Sequence, residues 1–446
     1  MSAVTHPLLR YRQADASICH ARGGSRSVLG FLAEVAALAA QLPSAEHVVN
    51  LCTGRYRFAV GLMAALVRRQ VTLLPMSAVA APITALVRDF PTLYALHDQA
   101  AVPVGMPAFR FPSRAATSPR AETLTVPAVR SDQCAVVLFT SGSTGESQPY
   151  TRSWGALVAS AGAAARMLGV DNLAGACVLG TVPHQHSYGL ESIIMLALQH
   201  GLAFHDAHPL LPTDIATALE SVVAPRILVT TPIHLRSLIR HEVAMPPLHR
   251  IVCATAPLAV ELAREAESRF GAPLHEIYGC TEIGQIAMRR TVETLEWSCL
   301  DGIELYAAHG EVCARGPAAA SDAPLNDVVE LLGAKRFLLH GRKSDLVNVA
   351  GKRSSLAYLN FQLNAIVGVL DGVFVMPDAA DGVPRLRAYV VAPGLSAEFV
   401  VAALRRVIDP AFLPRPLHML NSLPRNTLGK LSAAALAQMH DASAQR

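Results

Sequence analysis

Apolar and polar positions alternate between two periods over the first hundred residues. Residues 28–42 and 55–69 carry apolar side chains at helical spacing, and residues 85–96 repeat this pattern. The apolar runs at 47–52 and 71–74 are short and are typical of buried strands. Strands that alternate with helices in this way predict a parallel sheet with helices on both faces.

The same alternation continues through the middle of the chain. An alanine-rich helix is predicted at 154–168, and strands are predicted at 176–182, 227–230 and 250–254, each followed by a turn and a helix. A further apolar strand begins at Leu274 and ends in a glycine turn. We therefore expect an α/β fold for this part of the chain.

The pattern becomes richer in strands beyond residue 300. Residues 302–315 predict a hairpin, residues 336–340 predict a strand, and a short polar link follows. The remainder alternates strands at 372–376 and 386–391 with helices at 357–366 and 398–408. We predict a large N-terminal α/β domain of layered sheets and helices, residues 1–341, and a small α+β domain, residues 342–446.

Composition excludes several classes of function. The chain has 446 residues, of which 52% are hydrophobic, so a substantial core is expected. A net charge of +4 spread along the chain gives no reason to expect nucleic acid as the main ligand. The eight cysteines form no C-x-x-C pair, so we expect reduced core residues and no zinc site. Without a signal peptide or an apolar span of membrane length, the expected location is the cytoplasm.

A hydroxyl-rich loop follows the apolar run at 135–139 without a spacer. Its sequence runs from Thr140 to Gly145 and offers two glycines, several hydroxyls and free N–H groups to one concavity, which suits polyphosphate oxygens. It matches neither the Walker pattern nor G-x-G-x-x-G. Taken alone, such a loop is more often an ordinary hydroxyl-rich surface turn.

Two further stretches carry candidate chemistry. After the strand from Leu274, the turn places the hydroxyl of Thr281 beside the carboxylate of Glu282, which suits a phosphate and Mg²⁺. A capped helix N-terminus would have the same sequence. His184 and His186 follow another strand, and their spacing allows a metal site, although a pocket wall or the entry to a helix is the more common arrangement.

Together these stretches resemble the acyl- and aryl-adenylate-forming (ANL) superfamily, which includes acyl-CoA synthetases, nonribosomal adenylation domains and luciferases. The resemblance covers nearly the whole chain and rests on four motifs in order. They are Thr140–Gly145, Tyr278–Glu282, Asp327 with Gly341-Arg342, and Pro424–Lys430. It implies a large domain that binds ATP and a carboxylic acid, and a small lid domain that rotates between two half-reactions.

The resemblance also implies roles for individual residues. Lys430 would bridge the attacking carboxylate and the α-phosphate, Thr281 would contact phosphate, Glu282 would hold Mg²⁺, and Ser344 would be the hinge. The implied ATP-binding residues are Thr140, Ser141, Gly142, Ser143, Thr144, Gly145, Ala256, Tyr278, Gly279, Asp327 and Arg342. The implied acid-binding residues are His186, Thr231, Ala254, Gly279, Ile283 and Gln285.

One departure from the superfamily pattern narrows the expectation. Gln148 stands where the phosphate loop usually has a lysine, and Arg152 is a candidate for the missing positive charge. This feature and the run from Pro183 to Glu191 look like the short ligases of xanthomonadin and aryl-polyene pigment clusters. That likeness implies ATP-dependent activation of a hydroxybenzoate, 3- or 4-hydroxybenzoate, and transfer to a holo acyl carrier protein. The alternatives are an aryl- or fatty-acyl-CoA synthetase and a non-catalytic scaffold of a pigment synthase.

Overall fold

The computed structural model describes residues 4–75, 86–90, 92–99, 105–112, 125–141, 147–241, 243–308, 310–317, 323–343, 346–349, 352–376, 385–425, 431 and 435, with the backbone alone at residues 140, 141, 147, 342, 348, 353 and 357. Its strands are β1 (Thr5–Pro7), β2 (Ser17–Ala21), β3 (Gly24–Ser27), β4 (His47–Asn50), β5 (Val71–Leu74), β6 (Leu93–His97), β7 (Ala108–Arg110), β8 (Ala128–Arg130), β9 (Cys134–Ser141), β10 (Ser147–Ser153), β11 (Cys177–Gly180), β12 (Ala203–His205), β13 (Arg226–Thr230), β14 (Arg250–Cys253), β15 (Leu274–Cys280), β16 (Gly284–Arg289), β17 (Trp297–Cys299), β18 (Glu304–Ala308), β19 (Glu311–Arg315), β20 (Ala323–Pro324), β21 (Asp327–Leu331), β22 (Arg336–Arg342), β23 (Leu346–Val349), β24 (Lys352–Ser355), β25 (Asp371–Val375), β26 (Arg387–Val391) and β27 (Leu417–Met419). The helices are α1 (Val28–Gln41), α2 (Arg55–Val67), α3 (Trp154–Leu168), α4 (Ser187–Gly189), α5 (Leu196–His200), α6 (Pro212–Glu220), α7 (Pro232–Arg240), α8 (Val260–Phe270), α9 (Leu356–Asn364) and α10 (Ala397–Leu404). A π-helical segment, Leu190–Met195, joins α4 to α5.

Two large sheets organise the chain up to residue 342. One has the strand order β10-β9-β5-β4-β6-β7, in which only the β10–β9 pair is antiparallel. The other has the order β21-β22-β17-β16-β15-β14-β13-β11-β12-β2-β3, and its central strands from β15 to β2 are parallel. The parallel strands end along one edge of the sheet, where α/β proteins usually bind ligands.

Local sequence explains where the main helices begin and end. Ser27 caps α1 by accepting a hydrogen bond from the N–H of Gly30 at 3.1 Å, and Ser153 caps α3 in the same way. Gly169 ends α3 in the left-handed region with φ of 66°. The apolar faces of α1, α2 and α3 pack into one core that both large sheets share.

A separate apolar cluster occupies the C-terminal part of the chain. It joins α9, α10, β25 and β26, and its buried members lie between Val347 and Leu413. Strand β22 ends at Arg342 and belongs to the large sheet. The predicted division into domains at residues 341 and 342 stays a prediction.

Two segments differ from the sequence expectation. The helix expected at 85–96 is wrong, because the structure has one helical turn at 86–89 and then strand β6. Pro91 disfavours helical backbone at the residue before it, and residues 93–97 are buried in an inner strand, between β4 and β7. Strand β10 was not expected, because its sequence is largely polar and contains Pro149. Across the described ranges, no helix is long and apolar enough to cross a membrane.

Candidate active site

The predicted site residues gather at the edge where the parallel strands end. Thr231 follows β13, Ala254 follows β14, and Gly279 lies near the end of β15. Strand β14 pairs in parallel with both neighbouring strands, so these ends lie side by side. The structure therefore brings the predicted acid-binding positions from three strands to one edge.

A second group of residues meets beside β15 and suits a nucleotide ribose. The hydroxyl of Tyr278 donates a hydrogen bond to Oδ2 of Asp327 at 2.6 Å. Asp327 pairs directly with Arg342 in the antiparallel β21–β22 ladder. The ring of Tyr278 packs against Trp297 and Phe337, with centroid distances of 5.7 and 5.6 Å. A carboxylate held in this way has an oxygen available to accept from a diol.

The turn after β15 connects two antiparallel strands. Residues 281–283 form the turn of the β15–β16 hairpin, so the alternative of a capped helix N-terminus is wrong. Thr281 and Glu282 are half-buried, whereas Ile283 is buried. Burial and the neighbouring Glu282 carboxylate raise the pKa of the Cys280 thiol well above its usual range, so Cys280 stays protonated.

Arg152 lies directly against this turn. Its side chain is 2% exposed, Nη1 donates to the carbonyl oxygen of Thr151 at 2.9 Å, and Nη2 donates to the carbonyl oxygen of Thr281. Burial lowers the pKa of Arg152, while Glu191 and Glu282 favour its charged form. An arginine keeps its proton under such conditions, so a positive charge is buried under the turn.

Glu191 contacts the turn from the other side. Its carboxylate, 2% exposed, accepts from the hydroxyls of Ser160 and Ser187 at 2.7 and 2.5 Å. It also accepts from the backbone N–H of Gln285 at 3.4 Å. Glu191 lies in the π-helical segment, a form of helix that is frequent at functional sites. Sequence reasoning missed this residue, because a single glutamate in an apolar run gives no indication of its partners.

Hydroxyls and imidazoles line the ends of β11 and β13. Nδ1 of His234 lies 2.8 Å from Oγ1 of Thr231 and 3.2 Å from Oγ1 of Thr181. Nε2 of His208 lies 3.1 Å from the carbonyl oxygen of Thr181, so this nitrogen is the donor. Burial lowers the pKa of His234 and lowers that of His208 to about 4, so both rings are neutral at pH 7. Besides burial, Arg55, His234 and His186 also lower the pKa of His208.

The two histidines of the Pro183–Glu191 run have separate positions. His186 is the N-cap residue of α4, which agrees with the helix-entry interpretation. His184 is buried, packs on Phe58 with a centroid distance of 4.5 Å, and contacts the carbonyl oxygen of Cys52 through Nε2 at 3.1 Å. Burial lowers the pKa of His184 to about 3. Among the described residues, no group of three histidine, cysteine or acidic side chains is placed to hold a metal ion.

Arg55 was also missed by sequence reasoning. This side chain is fully buried and donates to four backbone carbonyls, those of Gly180, Val182, His205 and Ala207, at 2.6–3.2 Å. Burial lowers its pKa to about 10, which still leaves it charged at pH 7. It therefore fixes the ends of β11 and β12 next to the predicted acid site.

The turn after β14 contains strained backbone. Thr255 has φ of 84°, which is unusual for a β-branched residue, and it lies between Ala254 and Ala256. Ala256 itself is exposed in this turn. Strain of this kind persists where the surrounding structure imposes it, often at functional sites. No sequence pattern indicates this strain.

Several predicted residues lie outside the described part of the chain. They are Gly142, Ser143, Thr144, Gly145, Ser344 and Lys430. The backbone on both sides of the phosphate loop is described, and Gln148 pairs with Thr140 across the β9–β10 hairpin. Arg425 and Leu431, which flank Lys430 in the sequence, pair in an isolated antiparallel β-bridge. Arg425 also forms a two-point ion pair with Asp371, at 2.6 and 2.8 Å.

Comparison with known proteins identifies the family. Residues 65–304, more than half of the chain, match the family model described as AMP-binding enzyme. The chain belongs to the AMP-binding enzyme family. It is 30% identical to a 4-coumarate–CoA ligase of Rhodobacter capsulatus over 317 residues. The aligned region covers 68% of this chain and 76% of that protein. It is 28% identical over 314 residues to a 4-coumarate–CoA ligase of Halorhodospira halophila, covering 66% and 73%.

Solved structures show that the AMP-binding fold extends over the whole chain. ATP-bound MatB from Rhodopseudomonas palustris superimposes with a TM-score of 0.80 at 17% identity over 97% of both chains. AMP-bound O-succinylbenzoate coenzyme A synthetase from Bacillus subtilis superimposes with a TM-score of 0.78 at 17% identity, over 96% of this chain and 97% of that one. The predicted α/β fold of the ANL superfamily is confirmed. The chain is thus an AMP-forming ligase that uses ATP with Mg²⁺.

Proposed function

We propose that this ligase activates 3- or 4-hydroxybenzoate as an acyl-AMP and transfers the acyl group to the phosphopantetheine thiol of an acyl carrier protein. The first half-reaction consumes ATP and releases pyrophosphate. In the second, the thiol attacks the acyl carbon and AMP leaves. This is the chemistry of aryl-polyene pigment synthesis of the xanthomonadin type.

The meeting of Tyr278, Asp327 and Arg342 carries the ATP half of the proposal. In this arrangement Asp327 accepts from the ribose hydroxyls, and Arg342 contributes positive charge beside them. Thr140–Gly145 binds the β- and γ-phosphates, and Lys430 stabilises the charge that develops at the α-phosphate. The remaining implied ATP contacts, Ala256 and Gly279, come from the turn after β14 and from β15.

The turn residues fit Mg²⁺ in a specific way. Mg²⁺ is usually held by one or two carboxylates together with substrate phosphates and water, not by a cage of protein ligands. Glu282 is a half-buried carboxylate at a turn, and the described residues contain no three-ligand cluster. Glu282 would therefore hold the ion together with the triphosphate, and the ion would neutralise charge on the phosphates of ATP.

The neutral histidines and threonines near β11 and β13 support a phenolic acid. If Thr231 donates to Nδ1 of His234, the other ring nitrogen carries a proton and becomes a donor. His208 has its Nδ1 left as an acceptor, since Nε2 donates to Thr181. A donor and an acceptor together suit a hydroxyl group better than a second carboxylate. Two relatives named for 4-coumarate, itself a phenolic acid, agree with this choice.

The thiol acceptor distinguishes the leading proposal from a second candidate. The neutral Gln148, which is exposed on β10, supports the carrier-protein branch, because that branch shares this departure from the usual lysine. The names of the two relatives favour CoA, so an aryl- or fatty-acyl-CoA synthetase is the second candidate. We propose further that residues 342–446 rotate about Ser344 between the two half-reactions.

A substrate panel tests the proposal. Pyrophosphate release would be measured with 3- and 4-hydroxybenzoate, benzoate, 4-coumarate and a fatty acid, using Lys430→Ala as the inactive control. We expect the hydroxybenzoates to give the highest kcat/KM. The best acid would then be offered with CoA or with a holo carrier protein. Efficient turnover with CoA alone would favour the second candidate, and absence of pyrophosphate release with every acid would indicate a scaffold.

A further inference from the structure

The position of Arg152 on β10 decides what its charge can do. Side chains two and four residues apart lie on the same face of a strand, so Arg152 shares a face with Gln148, where a lysine is usual. Four residues of strand span about 14 Å. Arg152 is buried, and its guanidinium donates to the carbonyl of Thr281. It is therefore not a simple replacement for a lysine at the phosphate loop.

The Thr281–Gly284 turn is held at both ends. Arg152 bonds the carbonyl of Thr281 at its start, and Glu191 accepts from the N–H of Gln285 just after its end. The turn also packs directly on Glu191, since a Cβ added to Gly284 would lie 3.0 Å from Oε2 of that carboxylate. Gly284 itself has φ of 95°, which favours glycine. The backbone of the turn thus has little freedom to move.

We propose that Arg152 is a positioning residue that fixes the Thr281–Glu282 turn for binding of phosphate and Mg²⁺. This inference rests on the proposed roles of Thr281 and Glu282. Without the guanidinium, the partly buried carbonyl of Thr281 loses its donor and the turn relaxes. The carboxylates of Glu191 and Glu282, which favour the charged form of Arg152, also lose that compensating charge. The carboxylate of Glu282 would then no longer be held where the triphosphate needs a metal ion.

The experiment compares Arg152→Met and Arg152→Lys with a matched control, Arg250→Met. Arg250 also donates to the carbonyl of its preceding residue, His249, and to a remote carbonyl, that of Leu168, but it lies at the opposite end of its strand from the site. The readouts are the Mg²⁺ concentration for half-maximal pyrophosphate exchange, calorimetric ATP affinity with and without Mg²⁺, and Tm.

For Arg152→Met we expect a Mg²⁺ requirement at least tenfold higher, with ATP affinity in the absence of Mg²⁺ within twofold of wild type. The Mg²⁺ requirement of Arg152→Lys should lie between those of the wild type and Arg152→Met, because an ammonium keeps the charge but lacks the planar fork with which the guanidinium reaches both carbonyls. Arg250→Met should keep the wild-type Mg²⁺ requirement. If Arg152→Met does not fold, the lysine variant supplies the measurement.

If Glu282→Gln raises the Mg²⁺ requirement but neither Arg152 variant does, the positioning role of Arg152 is refuted and the proposed Mg²⁺ position at Glu282 stands. If Glu282→Gln also leaves the requirement unchanged, the assigned Mg²⁺ position fails and the role of Arg152 fails with it. If Arg250→Met raises the Mg²⁺ requirement as much as Arg152→Met does, the effect comes from a general loss of stability. That result would also refute the positioning role of Arg152.

Discussion

Replacing Tyr278 by phenylalanine removes the hydrogen bond from its hydroxyl to Asp327 and keeps the aromatic ring. The hydroxyl of Tyr278 holds Oδ2 of Asp327 at 2.6 Å, while the ring packs on Trp297 and Phe337. The phenylalanine ring keeps both ring contacts. The variant therefore isolates the contribution of the hydroxyl to the orientation of Asp327.

The expected size of the effect on ATP binding follows from the kind of hydrogen bond that is lost. A bond to a charged group contributes about 1.5–3 kcal/mol, and about 1.4 kcal/mol corresponds to a tenfold change in binding. Asp327 is half-buried, so water can replace the lost donor, and the effect should lie at the lower end. We expect the KM for ATP to rise by about tenfold for Tyr278→Phe, with a loss of stability of about 1 kcal/mol.

The assay compares ATP with 2′,3′-dideoxy-ATP in pyrophosphate exchange. If Asp327 binds the ribose hydroxyls, the preference for ATP over the dideoxy nucleotide should shrink in Tyr278→Phe and more strongly in Asp327→Asn. Tyr94→Phe is the control, because Tyr94 lies in the other large sheet and its hydroxyl also donates a buried hydrogen bond, to Gln70 at 2.9 Å. An unchanged KM, or an equal rise for both nucleotides, would refute the assignment of Asp327 to the ribose.

Four further outcomes are expected. Lys430→Ala should abolish adenylate formation and leave nucleotide binding detectable by calorimetry; unchanged pyrophosphate exchange would contradict its role. Gln148→Lys should lower the KM for ATP by roughly fivefold at low ionic strength, since an added charge near phosphate gains about 1 kcal/mol in water, and an unchanged KM would place the phosphates elsewhere. His234→Phe should reduce the preference for 4-hydroxybenzoate over benzoate; a preserved preference would exclude the ring from the acid pocket. The free energy of unfolding should fall as the pH is lowered from 7 towards 4, because burial lowers the pKa of His184 to about 3 and the unfolded chain binds more protons in that window; denaturant titrations of His184→Gln should show a smaller decrease.

The parts of the fold that follow from the sequence are those in which one period dominates. The helices at residues 28–41 and 154–168 show a clear apolar face and a serine cap, and both were predicted. Residues 93–97 carry an apolar run too short to distinguish a buried strand from part of a helix. Strand β10 has a polar sequence because it forms the edge of its sheet and carries Arg152 inward, so its pairing with β9 gives it the strand conformation.

The site divides in the same way. Tyr278, Asp327 and Arg342 belong to motifs, and the β21–β22 register and the hydrogen bond from Tyr278 to Asp327 bring them together. The ribose-binding role that the sequence resemblance implied for them stays a prediction. Arg55 belongs to no motif, and Glu191 is only the last residue of the run from Pro183, with no role assigned to it. Their roles come from contacts with backbone groups far along the chain, and a sequence does not show which carbonyl or N–H a buried charge will meet.

The distribution of charge at the site has a consequence for how ATP is held. The positive charge of Arg152 is buried, is favoured by the carboxylates of Glu191 and Glu282, and contacts a backbone carbonyl. It therefore balances protein charge and does not compensate for the lysine that is absent at Gln148. With the proposed site roles, the triphosphate would then be neutralised by Mg²⁺, by Lys430 and by the N–H groups of the phosphate loop. Because the metal ion supplies a larger share of that charge, this ligase should depend on Mg²⁺ concentration more steeply than a relative with a lysine in the loop.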